Sequence, residues 1–423
     1  MRQAGSQSAC MASVLFKNAR VFDGSSGNCP EGMQVLVENG LIREVCDKQI
    51  KVNDARTIDV GGRTLMPGLI DAHIHAYFCD VSWHKMDTAG EAYRTAHAVR
   101  MLGFALDCGF TSVRDIGGGD YGLWRAIEER LIRAPRFFYS GKILSMTGGH
   151  GDARFMDESH HNQGYCSCGD ASALSVVADG VDSCVKAARE ELRRGAHCIK
   201  IMASGGAASP TDPIWMNQYR EDEIRAIVNE TTERRTYTSA HCHPASSVKR
   251  CVEFGVRVIE HGTLMDDATA RLVADKGVYV VPTLVIIQVL AERGRQLGLL
   301  PAVQEKIDFV FGQALQGLES MRKAGVKLGF GTDLLGETYT QQCHEFVLRK
   351  AVFSPLEILR QATSSNAALL QQQDKLGCIK PGAHADLLVV EGDPLKDIEL
   401  LAASGQHLRL IMRAGELIRN ELG

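Results

Sequence analysis

The sequence lacks a strong excess of charge of either sign and lacks a long apolar run. Its 47 lysines and arginines nearly balance 51 aspartates and glutamates, which leaves a net charge of −4. That balance, without a local basic patch, argues against nucleic acid or an anionic membrane as a partner. The apolar stretch 278–290 is interrupted by Pro282 and Gln288, so it is too short to span a bilayer.

The chain also lacks a disulfide pattern. Its 13 cysteines are odd in number, and many of them lie within apolar segments, which is typical of reduced thiols in a cytoplasmic protein. The first residues contain no apolar segment of signal-peptide length. We therefore expect a cytoplasmic protein.

The residues that are present indicate a folded, globular chain. An apolar fraction of 45% with 23% charged residues is enough to build a packed core. A length of 423 residues corresponds to about two to three domains, or to one large barrel with a smaller companion.

The two ends of the chain have a similar texture. Residues 12–66 contain short alternating apolar runs separated by Asp-Gly and Asn-Gly pairs, which are hairpin signals. Residues 378–423 repeat this pattern of short strands and turns. We predict that the two segments form one small composite β-sandwich domain.

The middle of the chain, residues 67–377, alternates between apolar strand patterns and amphipathic helical patterns. The predicted strands are 69–75, 110–115, 136–141, 197–204, 237–243, 256–261, 278–283 and 327–333. Helical patterns include 91–108, 181–194, 221–234 and 301–324. Eight such repeats predict the α/β class and a closed (β/α)8 TIM barrel. An open doubly wound sheet is the alternative, but no Gly-x-Gly-x-x-Gly follows the first strand.

Five of the eight predicted strands end on residues that can bind a metal. They are His73 and His75 after the first strand, Lys200 on the fourth, His241 on the fifth, His261 on the sixth and Asp333 on the eighth. Barrel enzymes place their active sites at these strand ends. Imidazoles and a carboxylate suit a zinc-like ion, whereas the ammonium of Lys200 would repel a cation unless it were converted to an anion.

These residues give the sequence a resemblance to the amidohydrolase superfamily. The resemblance rests on PGLIDAHIH at 67–75, on Lys200, His241, His261 and the Thr332-Asp333 pair, and on KPGAHADL at 380–387. The segments VRD at 113–115, TGGHGD at 147–152 and IKIMASGG at 199–206 are similar to one branch of it. That branch is related to imidazolonepropionase and contains metal-dependent prolidases, other Xaa-amino-acid carboxypeptidases and ochratoxin-hydrolysing amidases.

The resemblance implies a binuclear centre of two divalent ions, zinc by default. The implied ligands are His73, His75 and Asp333 for the first ion, His241 and His261 for the second, and carboxylated Lys200 as a bridge. Water activated there would attack an amide carbonyl. Asp333 would take the proton of that water and pass it to the leaving nitrogen.

His150 is the second candidate catalytic residue. It lies in a glycine-rich turn after the third predicted strand, and the resemblance implies that its imidazole stabilises the developing oxyanion. The alternative is a hydrogen bond that only orders the loop.

Three further residues are candidates for binding the carboxylate of a substrate: Arg154, Arg220 and Tyr219. Arginine suits bidentate recognition of a carboxylate, but each of the three is also a candidate for an ordinary surface position. We expect Arg114 to form an internal ion pair with the adjacent Asp115.

A cluster of histidines and cysteines lies between the third and fourth predicted strands, at His160, His161, Cys166 and Cys168. It lacks the paired Cys-x-x-Cys spacing of a structural zinc site, so we expect no specific metal there.

The leading functional hypothesis is hydrolysis of a small-molecule amide, either a dipeptide or an N-acyl amino acid, in the manner of a prolidase, a carboxypeptidase or an ochratoxin amidase. A cyclic amide hydrolase or a ring deaminase of the same superfamily is the alternative, although such deaminases typically use one metal without a carboxylated lysine. A non-catalytic scaffold is a remote third hypothesis, since all six ligand positions are intact. A homo-oligomer is left open, with the helix at 301–324 as a candidate interface.

Overall fold

A computed structural model describes residues 13–154, 172–209 and 211–422. The cluster of His160, His161, Cys166 and Cys168 lies outside the described residues. The strands are β1 (Val14–Val21), β2 (Met33–Glu38), β3 (Leu41–Cys46), β4 (Arg56–Asp59), β5 (Thr64–Pro67), β6 (Leu69–Ile74), β7 (Phe110–Asp115), β8 (Arg136–Tyr139), β9 (Ile143–Ser145), β10 (Ser175–Val177), β11 (Ile199–Met202), β12 (Thr238–Pro244), β13 (Val258–Leu264), β14 (Tyr279–Val281), β15 (Lys327–Leu328), β16 (Leu387–Val390), β17 (Leu408–Arg413) and β18 (Glu416–Asn420).

The helices follow most of the strands of the middle segment. They are α1 (Trp83–Thr88), α2 (Glu91–Asp107), α3 (Tyr121–Glu128), α4 (Val181–Arg193), α5 (Glu221–Glu233), α6 (Ala245–Glu253), α7 (Asp267–Asp275), α8 (Leu284–Arg293), α9 (Pro301–Ala324), α10 (His344–Arg349), α11 (Pro355–Arg360) and α12 (Asn366–Leu369). The eight strands predicted for the middle segment each overlap an observed strand. The short strands β9 and β10 were not predicted, because three residues are too few to set a period.

The strands of the middle segment form two parallel ladders. One has the order β6-β7-β8, and the other has the order β10-β9-β11-β12-β13-β14-β15. Backbone hydrogen bonds join the ladders at two places: the amide of Ala72 donates to the carbonyl of Phe330 at 2.9 Å, and the amide of His197 donates to the carbonyl of Tyr139 at 2.8 Å. The middle segment is therefore a mixed α/β unit of parallel strands and connecting helices.

The ends of the chain meet in a separate eight-stranded sheet. Its order is β18-β17-β16-β5-β1-β2-β3, with β4 paired to β1. The antiparallel pairing of β5 with β16 places Pro67 opposite Leu387 and so joins the two ends directly. Phe16, Val35 and Leu387 belong to a core of this sheet that is distinct from the core under the parallel strands.

The long helix α9 has clear start and stop signals. Pro301 occupies its first turn, where a missing amide hydrogen costs nothing. Gly325 ends it with a φ of 73°, a left-handed conformation that glycine adopts without strain. The helix packs against β13 and α8 and so reaches the carboxyl ends of the strands.

The structure bears on two expectations drawn from absences in the sequence. All ten cysteines within the described ranges are free, and six of them are buried, which agrees with the prediction of reduced thiols. No helix in the described part of the chain is long and apolar enough to cross a membrane.

Candidate metal centre

One cavity at the carboxyl ends of the parallel strands gathers all six predicted ligands. They lie on β6 or directly after it, on β11, β12 and β13, and in the segment after β15. In chain order they are His73, His75, Lys200, His241, His261 and Asp333. His150 and His243 line the same cavity. Parallel strands of one sheet end on the same side, so residues far apart in sequence converge there.

His73, His75 and Asp333 form the first group of candidate ligands. The Nε2 atoms of the two imidazoles lie 3.2 Å apart, and the Asp333 carboxylate lies 3.3 Å from Nε2 of His73 and 3.1 Å from Nε2 of His75. The two histidines are buried, and their i, i+2 spacing on an extended backbone turns both rings to one side.

The hydrogen bonds of these rings show what the first group can hold. Nδ1 of His73 faces the Glu260 carboxylate at 2.7 Å, and Nδ1 of His75 faces the carbonyl of Gly117 at 3.1 Å. Each Nδ1 must therefore carry a proton, so in the neutral rings the two Nε2 lone pairs point with the Asp333 carboxylate at one spot. Three acceptors without a donor between them fit a bound cation.

The titration of these groups follows from their surroundings. Burial alone would lower the pKa of His73, but the carboxylates of Asp333 and Glu260 raise it. Burial would raise the pKa of Asp333, yet the imidazoles of His73 and His75 hold it well below its usual range. Without an ion, a protonated imidazole is the positive partner of the Asp333 carboxylate. A divalent ion at this spot would take the place of that proton.

His241 and His261 form the second group together with His243, which sequence reasoning missed. One ligand atom from each of the three lies within 4.8 Å of the others. Burial holds the pKa values of His241 and His261 well below the usual range, so both rings are in the neutral form that binds metals. The signal was present in the sequence, because His241 and His243 repeat the i, i+2 spacing of His73 and His75.

Lys200 lines the same cavity as the two groups and is buried. Burial lowers the pKa of its amine, while the carboxylates of Glu260 and Asp333 oppose that shift. A lowered pKa favours the neutral amine, which is the form that can add carbon dioxide and become an anionic carbamate.

Two of the candidate ligands have strained backbones. His261 has a φ of 71° and Asp333 a φ of 57°, both in the left-handed region that residues with a side chain rarely adopt. Such strain is retained mainly where a side chain must be aimed at a particular point. At Asp333, the backbone amide donates to the carbonyl of His73 at 2.8 Å and so fixes the carboxylate beside the first group.

A buried ion pair supports His73 from behind. Arg114 donates to Glu260 at 2.6 Å and to the carbonyl of Ala72 at 2.6 Å. Glu260 also accepts a short hydrogen bond from Ser239. Burial opposes the charge on Glu260, but Arg114 and His73 hold its pKa far below the usual range. The sequence reasoning had not included Glu260.

The expected ion pair between Arg114 and Asp115 was wrong. Successive side chains of a strand point to opposite faces, so the neighbours on β7 cannot pair. Asp115 instead accepts backbone hydrogen bonds from Ala76 at 2.7 Å and from Gly117 and Gly119 at 3.0 Å each. It therefore shapes the turns that follow β6 and β7.

His150 lies beside the second group. Its ring centroid is 4.3 Å from that of His241, and its Nδ1 lies 2.8 Å from the Ser209 hydroxyl. Its backbone amide donates to the side chain of Gln218 at 2.9 Å. Burial lowers the pKa of His150 to about 4, so the ring is neutral near pH 7.

The three candidate carboxylate-binding residues lie away from the described lining of the cavity. Arg154 pairs with Asp152 at 2.5 Å, and Arg220 is an exposed residue at the start of α5 that pairs with Asp222 at 3.3 Å. Tyr219 is buried, and burial beside Cys184 raises the pKa of its hydroxyl well above the usual range.

Most of the remaining lining of the cavity is apolar. The apolar side chains are those of Phe78, Trp83, Met86, Ile143, Met202, Ile286, Ile287, Leu290, Ile307 and Leu335. The space not filled by protein atoms is about 670 Å³, part of it open to solvent.

Comparison with known proteins identifies the class of protein that this fold and site define. The model of the amidohydrolase family matches residues 64–417. Ochratoxinase of Aspergillus niger is 31% identical over 351 residues, which cover 79% of this chain and 72% of that protein. The chain belongs to the amidohydrolase family and is a hydrolase of amide bonds.

Solved structures agree with this assignment. The crystal structure of an amidohydrolase is 48% identical with a TM-score of 0.95 and covers 97% of this chain and 100% of its own. The structure of a prolidase complexed with N-methylphosphonate-L-proline is 41% identical with a TM-score of 0.93 over the same shares.

Proposed function

We propose that this protein is a binuclear metal-dependent amidohydrolase that releases an amino acid from a dipeptide or an N-acyl amino acid. The observation that carries the proposal is the convergence of two imidazole lone pairs and the Asp333 carboxylate on one spot, with a second group of imidazoles and Lys200 beside it. His73, His75 and Asp333 would hold one ion, and His241 and His261 would hold the other. Carboxylated Lys200 would be a ligand of both, and zinc is the ion that this donor set favours.

The architecture is part of the same proposal. We infer that the two parallel ladders constitute one closed (β/α)8 barrel at 67–377, supported by the hydrogen bonds between Ala72 and Phe330 and between His197 and Tyr139. The pairing of β5 with β16 supports a composite sandwich domain of 12–66 and 378–423. The ten free cysteines in the described ranges support a cytoplasmic location.

Asp333 and His150 have different roles in the proposed hydrolysis. Two divalent ions, when bound, lower the pKa of a water between them and polarise an amide carbonyl. Asp333 lies against both His73 and His75 and lines the cavity, so its carboxylate can accept a proton at the centre and deliver it to the leaving nitrogen. The role of His150 is to donate a hydrogen bond from its neutral ring to the developing oxyanion.

The apolar wall limits the substrate. Ile286, Ile287 and Leu290 from α8 and Ile307 from α9 face the cavity, so an amide with an apolar group on one side of the scissile bond suits it. The names of the related ochratoxinase and prolidase agree with such substrates. Recognition of a carboxylate by Arg154, Arg220 or Tyr219 stays a prediction, as does a homo-oligomer.

Metal content and amino-acid release test the function together. The purified protein, reconstituted with zinc and bicarbonate, is incubated with Xaa-Pro dipeptides, Xaa-Lys and Xaa-Arg dipeptides, and N-acyl-phenylalanine. We expect about two zinc ions per chain and release of an amino acid from one class. Zinc binding without release from any of them would favour a cyclic amide hydrolase or a deaminase, and a chain that binds no metal would contradict the proposal.

The variant D333N shows whether the centre performs the reaction. We expect kcat per bound metal to fall about 10³-fold, within the range of a lost general acid–base, with KM changed only a few-fold. D308N is the matched control, because Asp308 is an exposed residue of α9 outside the described lining of the cavity. Equal activity of D333N and D308N would contradict the role of Asp333.

A further inference from the structure

The side chain of Lys306 links α9 to the loop that follows β11. Its ammonium donates to the carbonyls of Gly206 at 2.8 Å, Ser209 at 2.5 Å and Asp212 at 3.1 Å. The three acceptors lie about 100 residues away in sequence, on a loop that leads into the wall of the cavity. Burial lowers the pKa of Lys306, and Asp212 opposes that shift.

The geometry decides between two roles for this buried lysine. A lysine near an active site is a natural partner for a substrate carboxylate. An ammonium has three N–H donors, however, and the three carbonyls occupy all of them. Lys306 is therefore placed to fix the loop, with no donor left for an anion in the cavity.

The same loop holds His150. The Ser209 hydroxyl lies 2.8 Å from Nδ1 of His150, and the Asp212 carboxylate lies 3.8 Å from the same atom. Asp212 also accepts hydrogen bonds from the amide of Gly206 at 2.9 Å and from Gln218 at 3.2 Å. With Nδ1 held beside Ser209 and Asp212, the ring lines the cavity.

Gly206 shows how closely the ring and the loop fit. A Cβ at this position would lie 2.0 to 2.3 Å from atoms of the His150 ring, so the ring occupies the space of the missing side chain. A shift of the loop would therefore move the ring or remove the groups that hold Nδ1.

We propose that Lys306 is a positioning residue for His150: its ammonium ties together the loop carbonyls so that Ser209, Asp212 and Gly206 hold the imidazole toward the metal centre. The inference rests on the proposed function for its effect on turnover. The link between Lys306 and the loop rests on the contacts alone.

Hydrogen exchange of the zinc-loaded, full-length protein tests the link without a substrate. In K306M, we expect peptides that cover 203–219 to exchange at least tenfold faster than in the wild type, with metal content unchanged. K323M is the matched control, because Lys323 lies on the same helix with an exposed side chain and pairs only with Glu319 at 3.6 Å among the described residues. K306R keeps the charge and several donors and should exchange more slowly than K306M, and K306A replaces K306M if that variant does not fold. Exchange of these peptides at the wild-type rate in K306M would overturn the link. If K306M does not fold, a wild-type rate in K306A would overturn it.

A double-mutant cycle tests the action through His150. We expect K306M to lower kcat about tenfold with KM within twofold, and to change kcat by less than twofold in the H150N background. Independent, multiplicative effects of the two changes, or a rise in KM alone, would overturn the positioning role. If the wild type hydrolyses none of the amides, the proposed function fails while the exchange experiment still decides whether Lys306 holds the loop.

Discussion

The two walls of the cavity are held in different ways. The wall that carries His73, His75 and Asp333 consists of strand ends, and buried side chains fix it: Glu260 and Arg114 are both fully buried behind His73. The wall that carries His150 consists of loops, and the partly buried ammonium of Lys306 on α9 holds them together with the side chains of Asp212 and Gln218.

We infer that the strand wall serves mainly to bind the ions and that the loop wall serves mainly to control the reaction. Ligands on strand ends share the stability of the whole sheet, so their geometry is set before any ion or substrate binds. Loops open at a lower free-energy cost than strands, and residues on them respond to local changes. Substitutions in the strand wall should therefore lower both the free energy of unfolding and the metal affinity. Substitutions in the loop wall should lower kcat and leave stability and metal affinity unchanged.

Replacing Glu260 should give the largest effect on the strand wall. E260Q removes the negative charge that pairs with the buried Arg114, and its one amide oxygen cannot replace both carboxylate oxygens that now accept from Arg114 and from His73 Nδ1. We expect a loss of about 3–5 kcal/mol in the free energy of unfolding. We also expect zinc affinity, measured by competition with a chelator, to fall about 10- to 100-fold.

E345Q is the matched control for that experiment. Glu345 is also fully buried and pairs with an arginine, Arg349, at 2.7 Å, but the described contacts of its side chain include no candidate ligand. We expect E345Q to lose stability and to keep its zinc affinity. Equal losses of zinc affinity in both variants would break the distinction between support for a ligand and support for the fold.

Filling the space at Gly206 should give a smaller effect, confined to the loop wall. G206A places a methyl group where the His150 ring lies, so the ring must move. We expect kcat to fall about 10²-fold, as for the loss of one oxyanion donor, with zinc content unchanged.

The control for G206A is G312A on α9, where an added Cβ meets nothing within 4 Å. We expect G312A to keep full activity and to gain up to about 1 kcal/mol of stability, because alanine favours a helix. A loss of bound zinc in G206A would show that the two walls are not independent.

Protonation of His197 at acid pH should give the smallest effect, a loss of folding stability. This residue adjoins a strand of the strand wall but is not part of the described lining of the cavity. His197 precedes β11, and burial lowers its pKa below the ordinary value of about 6.5. The unfolded state therefore takes up a proton first as the pH falls through 6.5, and the folded state loses stability below that pH. We expect the slope of unfolding free energy between pH 6.5 and 5 to be smaller in H197N than in the wild type. An unchanged slope would mean that His197 does not contribute.

The sequence predicted the strands well and placed the candidate ligands at their ends, for a local reason. Apolar runs of β-branched residues mark buried parallel strands, and residues at their carboxyl ends must lie near one another. His73, His75 and Asp333 therefore were found from spacing and topology alone. His243 was missed although it repeats the spacing of His73 and His75, because one histidine had already been assigned to that strand.

The partners of those residues were beyond local reasoning. Asp115 was paired with Arg114 because they are neighbours in sequence, but alternation along β7 separates them and Glu260, 146 residues away, takes the arginine. The substrate candidates Arg154 and Arg220 were placed by proximity to predicted strand ends. In the structure their side chains pair with nearby aspartates, since a loop residue has no period that fixes its direction.

The sequence by itself determined which residue types stand at the strand ends, and hence the class of chemistry, because side-chain alternation and strand order are local properties. The tertiary structure alone decided which groups aim those residues. Glu260 supports His73, and Lys306 on α9 holds the loop beside His150. Each lies more than 90 residues from these partners in the sequence. Such contacts form only when packing of the helices on the parallel strands brings those segments together, and no pattern within one segment records them.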